Sequence, residues 1–450
     1  MVMIKSLFVR LITFLILCSA VFPCIAIEPV WTFSDDNRKI EDIAVAPDGS
    51  TVVAGAGKVL LLSREGTILA NEPFGEHLAQ SQDGSSIVTE YSSTVSSTMY
   101  LFKKKTDAGG NQTLQKMWEA QQPYKIVSFA ISDNGERIAC SATTNDVFVL
   151  DGTTGARLGN DENISSRVAV SGRGMIIAGI SFSQGLKSFN SRGGFIKEYD
   201  VPLSGQTNSL LIDTNGSIVV FNTGMNIIAV NISNESDIWK QENPSEIKML
   251  AMTPSGEKIV AGTSNGTIDL YNKNGNLDWT YYSNSGTGSG QAINAVSLTH
   301  DGSKIIAGTA DGKIILFDDT GTPQWIYKTK NKPVNRVAVA ADGSLAVASS
   351  DNIIYAFSTE GLEISKSPIT PLKTPFQTLT SGEASTISSE TKSTTTQLVS
   401  IKQSVVPETP TISMTEYSIV HKATQSPFGG TEDIVVILVI IFIVTRKGSE

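Results

Sequence analysis

Three cysteines and three histidines among 450 residues leave little material for disulfides or metal clusters. Cys18 and Cys24 fall in an N-terminal segment expected to be removed, so Cys140 stands alone and an internal disulfide in the mature chain is excluded. It sits in the strand-like stretch Arg137-Ile138-Ala139-Cys140-Ser141, where a lone cysteine behaves as a small buried apolar residue. His77, His300 and His421 are far apart, with none of the spacings of a zinc site. The formal charge of −9 comes without a basic patch, which argues against phosphate neutralisation and against a nucleic-acid partner. The acidic pairs Asp35-Asp36 and Asp318-Asp319 fall at strand ends or turns, where carboxylates are ordinarily solvated rather than gathered around calcium. The glycine phrases do not precede helices, so a phosphate-cradling loop is excluded as well. No cofactor and no metal is expected.

Long apolar runs are also missing, and the two short ones lie at the ends. Lys5 and Arg10 precede an apolar stretch from Leu11 to Phe22, with small residues at Ala20 and Ala26. That three-part layout predicts a secretory signal peptide over residues 1–26 and therefore export. From residue 365 to 433 the chain fills with Ser, Thr and scattered Pro, as in Thr391-Lys392-Ser393-Thr394-Thr395-Thr396. Such a composition cannot bury enough apolar surface to offset its ordering entropy and reads as a disordered stalk or linker. Residues 434–450 form an apolar segment with a basic end. Its unbroken run, Ile434 to Val444, would reach roughly 16 Å as a helix, about half a hydrocarbon core. A shortened membrane helix and a processed anchor both remain open readings.

What the chain has in quantity is a repeat. A short apolar run, an Asp-Gly or Asn-Gly turn and a second apolar run recur, from Ala44-Val45-Ala46-Pro47-Asp48-Gly49 to Val337-Ala338-Val339-Ala340-Ala341-Asp342-Gly343. Between them come Asp83-Gly84, Asn134-Gly135, Ser171-Gly172-Arg173-Gly174, Asn215-Gly216, Ser255-Gly256 and Asp301-Gly302. From Gly49 to Gly343 there are seven intervals averaging about 42 residues, the length of a propeller blade. Asp301-Gly302, Asp311-Gly312 and Thr320-Gly321 divide one unit into four short strands joined by tight hairpins, an antiparallel meander. Such a sheet has two apolar faces, and stacking in a ring buries both. Five residues before the turn glycine stand Ala44, Ala79, Ala130, Ala169, Ala251, Ser297 and Ala338, with Leu211 the exception. Small residues there suit the crowded inner strands of a radial wedge.

Trp118, Trp239, Trp279 and Trp325 fall on fourth strands, a register that favours packing between blades over a sugar-binding stripe. Trp31, in Pro29-Val30-Trp31-Thr32-Phe33, looks like one more fourth strand placed ahead of the first blade. The expectation is an all-β, eight-bladed β-propeller of four-stranded antiparallel blades over residues 28–364, closed by that N-terminal strand. Seven blades would follow if the irregular stretch from Thr89 to Pro123 were an insertion.

The phrase from Asp301 to Gly312, running on to Thr320-Gly321 and Trp325, resembles the pyrroloquinoline-quinone-type propeller repeat. It also resembles WD-like repeats of archaeal surface proteins, although the Gly-His start and Trp-Asp end of true WD repeats are absent. The end of the chain, with Ser426-Pro427-Phe428-Gly429-Gly430 before the aliphatic run, resembles archaeal C-terminal sorting signals, whose motif has the order Pro-Gly-Phe. Those resemblances imply a surface protein held to the membrane through its C-terminus. Quinone dehydrogenases of this fold use an adjacent Cys-Cys pair, calcium and a catalytic Asp. This chain has no such cysteine pair, and relatives without cofactor include envelope assembly scaffolds.

Function is therefore read as non-catalytic binding of envelope or extracellular proteins or glycans. The alternatives are an assembly scaffold and, behind it, a quinone- or metal-dependent oxidoreductase. Loops leading into first strands and joining second to third strands cluster on one propeller face. Candidate binding residues there are Lys125, Arg167, Lys248 and Arg336, with Asp146, Asp311 and Asp351. Sequons at Asn111, Asn163, Asn215, Asn231, Asn234 and Asn265 are candidate glycosylation sites.

Overall fold

The structure, a computed structural model, describes residues 27–359 except 36–37, 145, 162–166, 182–184, 235, 284–289 and 331. The expected signal peptide, stalk and apolar tail, together with Asn163 and His421, lie outside the described residues. Within them the chain forms eight four-stranded antiparallel sheets, seven of them meanders in sequence order and the eighth completed by the N-terminal strand. Blade one begins at Asp42–Val45, blade two at His77–Gln80, blade three at Ile126–Ile131 and blade four at Arg167–Val170. Blades five to eight begin at Leu210–Ile212, Ile247–Met252, Ile293–Leu298 and Arg336–Val339. The stretch from Thr89 to Pro123 is no insertion. Its long strands Ser97–Thr106 and Gln112–Gln122 pair along ten positions as the outer hairpin of blade two, and the count is eight.

Six of the eight first hairpins, those of blades two to seven, are built by the same local chemistry. A Ser, Thr or Asp three residues before the turn glycine accepts a hydrogen bond from the amide two residues after it. Ser81 does so from Ser86 at 2.9 Å, Ser132 from Arg137 at 3.0 Å, Ser171 from Ile176 at 3.1 Å. Asp213, Thr253 and Thr299 repeat the bond to Ile218, Lys258 and Lys304. These side chains make the turn locally instead of leaving it to the ladder, which is why they are buried yet satisfied.

The core is divided into eight apolar clusters, one between each pair of neighbouring sheets. Strand alternation accounts for this: Ile43 points back to blade eight while Ala44 points forward to blade two. Tryptophan locks the outer part of five interfaces. Trp31, Trp118, Trp239 and Trp279 each donate Nε1–H to a backbone carbonyl of the next blade, at Arg64, Gly152, Lys273 and Asp319, over 2.6–3.1 Å. Beside each acceptor a positive-φ glycine lies against the indole. At Gly321, φ is +83° and a Cβ would stand 2.5 Å from Trp279 Cδ2, so both conformation and space demand glycine. Trp325 has the same position on blade seven and packs 4.7 Å from Phe357, but its buried Nε1 finds no acceptor among the described residues.

Closure has two parts. Trp31–Ser34 pairs with Ile353–Ser358 as the fourth strand of blade eight, as the N-terminal tryptophan implied. A belt of backbone hydrogen bonds also joins neighbouring first turns. Asp133 donates to Gly172 at 2.8 Å, Gly172 to Thr214 at 3.0 Å, Thr214 to Pro254 at 2.8 Å and His300 to Ala341 at 3.3 Å. Asp342 donates to Pro47 at 3.1 Å, carrying the belt from the last blade to the first. Pro254 and Pro47 have no N–H to pass it on.

Candidate functional site

The inner strands place residues in tiers along the channel. Seven residues before the turn glycine stand Asp42, His77, Ser128, Arg167, Ser209 and Arg336, with Met249 and Ala295 completing the ring. This tier lies nearest the upper face, where the loops leading into first strands emerge. An inner strand has a free edge, and the ring helps cover it: Ser128 Oγ accepts from Val168 N at 3.4 Å and Ser209 Oγ from Leu250 N at 2.9 Å. Asp42 accepts from Leu78 N in the same way, at 3.4 Å.

Two arginines share this tier from opposite blades. Arg336 donates Nε–H to Asp42 Oδ1 at 3.2 Å and Nη1–H to its neighbour's carbonyl, Asn335 O, at 3.1 Å. Arg167 Nε is closed to solvent and meets no acceptor among the described residues. Burial, and then the positive charge of Arg336, pull Arg167 below the usual guanidinium range. Burial pushes the Asp42 carboxyl above its usual range, against the pull of Arg336, two backbone amides and His77. The upper ring thus holds two arginines against one carboxylate.

Of the sequence candidates, only Arg167 and Arg336 occupy the ring. Lys248 falls in a β-bulge between Ile247 and Met249 and pairs with Glu246 at 2.7 Å. Lys125 precedes the first strand of blade three, its backbone carbonyl accepting from Thr143 N. Asp146, Asp311 and Asp351 lie in second-to-third loops beside Arg157 at 4.0 Å, Lys313 at 3.3 Å and Lys332 at 3.4 Å, each within its own blade or approach loop. Asn111, Asn215 and Asn234 are exposed; Asn231 and Asn265 are half-buried, and Asn265 Oδ1 accepts from Thr263 Oγ1 at 2.6 Å.

Sequence reading missed Asp42 and His77, though counting seven back from each turn glycine finds both. It also missed the lower end of the channel. There, two residues before their turn glycines, Gln82 of blade two and His300 of blade seven meet across the axis at 3.3 Å. Thr214 Oγ1 donates to Asp133 Oδ2 at 3.4 Å, bridging blades five and three. Asp133 is raised by burial, and His300 lowered by burial despite the nearby carboxylates of Asp133 and Asp301. The four side chains border a cavity of about 290 Å³ whose apolar wall includes Val170, Met252 and Leu298. Cys140 is buried, its thiol pushed up by desolvation, which is the opposite of what a reactive thiolate needs. Among the described residues no group of three or more His, Cys, Asp or Glu side chains could hold a metal ion.

The upper face carries exposed apolar side chains as well. Val95 is 73% exposed and Tyr282 61%, and Phe74, Tyr124, Val127 and Met225 join them on loops or strand ends of that face. Phe74 adopts φ +69°, a strained conformation for a bulky residue, with its ring 5.2 Å from Tyr91.

Ring, tiers and loop faces define a WD40-like eight-bladed β-propeller. Residues 144–367 match the family described as outer membrane protein assembly factor BamB. The fold is also that of Chaetomium thermophilum Sqt1 bound to the N-terminus of ribosomal protein L10, with TM-score 0.62, 16% identity, 74% of this chain and 99% of that one. The C-terminal WD40 domain of Sif2 gives TM-score 0.60 at 14% identity over 73% and 98% of the two chains. A computationally designed protein, Ika8, gives 0.59 at 17% over 74% and 99%. No curated protein matches the sequence.

Proposed function

We propose that this chain is a non-catalytic binding platform of the cell envelope, exported and held at the surface through its C-terminal segment, with its upper face receiving protein partners. One observation carries the reading: the same face bears an arginine with no counter-charge among the described residues and a group of exposed apolar side chains. Apolar anchors surrounded by charge are what protein interfaces use. The complex of Sqt1 with the N-terminus of a ribosomal protein supports the reading by analogy of fold. A second reading, assembly of other envelope proteins, is favoured by the match over residues 144–367. Glycan partners form the third outcome of the test.

The test is cross-linking and capture from the native cell surface with tagged full-length protein, comparing wild type with Val95→Asp/Tyr124→Asp. A discrete set of proteins lost in the variant supports the platform. Envelope assembly intermediates in that set favour the scaffold. Capture unchanged by the double substitution, or of glycan alone, refutes protein binding through this face.

A further inference from the structure

We propose that the channel mouth binds a carboxylate side chain of an acidic–apolar partner peptide, seated between Arg167 and Arg336. The inference rests on the upper face being the binding face and adds the chemistry of what enters it. Arg167 and Arg336 stand at the same register on blades four and eight, diametrically opposite in a ring of eight. Both side chains leave the inner strands at one level of the channel, and Arg167 feels the charge of Arg336.

Among the described residues, the nearby acceptors are spent elsewhere. Ser128 Oγ and Ser209 Oγ receive the amides of Val168 and Leu250, and Asp42 serves Arg336. Immediately below, the nearest members of the next tier, Ala130, Ala169 and Leu211, carry no side-chain acceptor. A half-buried arginine whose Nε has lost its water and found no partner among the described residues is costly to the folded state, and an incoming oxyanion would remove that cost. Planar guanidinium groups suit a carboxylate, which can accept two N–H bonds side by side.

Charge selects the carboxylate over a phosphate dianion. One arginine is uncompensated, and Asp42 already brings negative charge into the ring, so a second negative charge on the ligand would be repelled. The remainder of the peptide is defined by the rim. Phe74, Val95 and Tyr124 surround blades one to three on the same face and would seat apolar residues flanking the acid.

Fluorescence anisotropy with the full-length protein tests this, using a labelled hexapeptide of alternating Glu and Leu and its Gln–Leu counterpart. The expected result is at least tenfold tighter binding of the Glu peptide, lost in Arg167→Met and largely kept in Arg167→Lys. Without peptide, Arg167→Met should melt no lower than wild type, since it removes repulsion and an unpaired donor. Equal affinity for the two peptides, or a preference that survives Arg167→Met, overturns the proposal. Displacement of the Glu peptide by inorganic phosphate at concentrations where acetate is ineffective also overturns it, by making the site one for phosphate. Surface capture separates the two levels: partners lost in Val95→Asp/Tyr124→Asp but retained in Arg167→Met would refute the carboxylate seat and leave the binding face standing.

Discussion

Trp279 and Trp325 form a matched pair from which the worth of one inter-blade hydrogen bond can be measured. They occupy equivalent positions on blades six and seven and are 7% and 2% exposed. Each packs on the corresponding phenylalanine of the next blade, Phe317 at 5.7 Å and Phe357 at 4.7 Å between centroids. Trp279 donates to Asp319 O at 3.1 Å, whereas Trp325 Nε1 has no acceptor among the described residues. Replacement by Phe removes a similar piece of buried indole from both, about 1–2 kcal/mol with the residual cavity included. Trp279→Phe additionally loses a hydrogen bond worth about 1 kcal/mol. Trp325→Phe instead eliminates a buried unpaired donor, returning about 1 kcal/mol or more. Trp279→Phe should therefore cost about 2–3 kcal/mol and Trp325→Phe about 0–1 kcal/mol, although Trp325 is the more buried. Thermal unfolding followed by far-UV circular dichroism resolves this, at about 2 °C per kcal/mol for a chain of this size. Equal losses, or a larger loss for Trp325→Phe, would refute the hydrogen-bond reasoning and leave burial alone in charge of these interfaces.

Two further substitutions probe the same framework. Gly321→Ala should lower stability by about 2–4 kcal/mol, because it combines a +83° φ with collision against Trp279. Gly110→Ala, at φ +86° with nothing within 4 Å, should cost only about 1 kcal/mol in the same melts. Asp269 is 4% exposed and bonded to Thr280 Oγ1 at 2.7 Å and Asn243 Nδ2 at 2.6 Å, with burial raising its carboxyl. Above pH 4 the unfolded chain gives up this proton before the folded one does, so stability falls as pH rises through that window and stays lower beyond it. Asp269→Asn should thus gain stability relative to wild type on going from pH 4 to pH 7, read as the difference between the two proteins' denaturation midpoints; no pH-dependent difference would discount burial of the charge.

Much of the architecture was legible because each blade is specified by local signals. The turn glycines, their preceding acids and the tryptophans recur in register, and Trp31 even disclosed how the ring closes. The doubtful stretch after Thr89 read as irregular because its hairpin is extended and charged outside the ring, with Lys103, Lys104 and Lys105 interrupting the apolar pattern. The channel was less legible. Loop assignment found Arg167 and Arg336, but it could not see the bulge that takes Lys248 out of the ring register. Local pattern carries no trace of Gln82 meeting His300, since their contact spans 218 residues and exists only because ring closure brings blade seven round to within reach of blade two. A lone histidine in sequence is therefore part of a group only the closed circle assembles.

The pairing of Trp31–Ser34 with Ile353–Ser358 also sets a timetable. The first strand to be made belongs to the last blade, and its partner follows more than 300 residues later. At about 5–20 residues per second, a growing chain carries that strand unpaired for roughly 15–65 seconds. Through that interval the strand is an unpaired β-edge, open to capture by another chain. Ring completion has to wait for blade eight, and a ribosome that stalls inside that blade would leave seven blades and an unclosed gap.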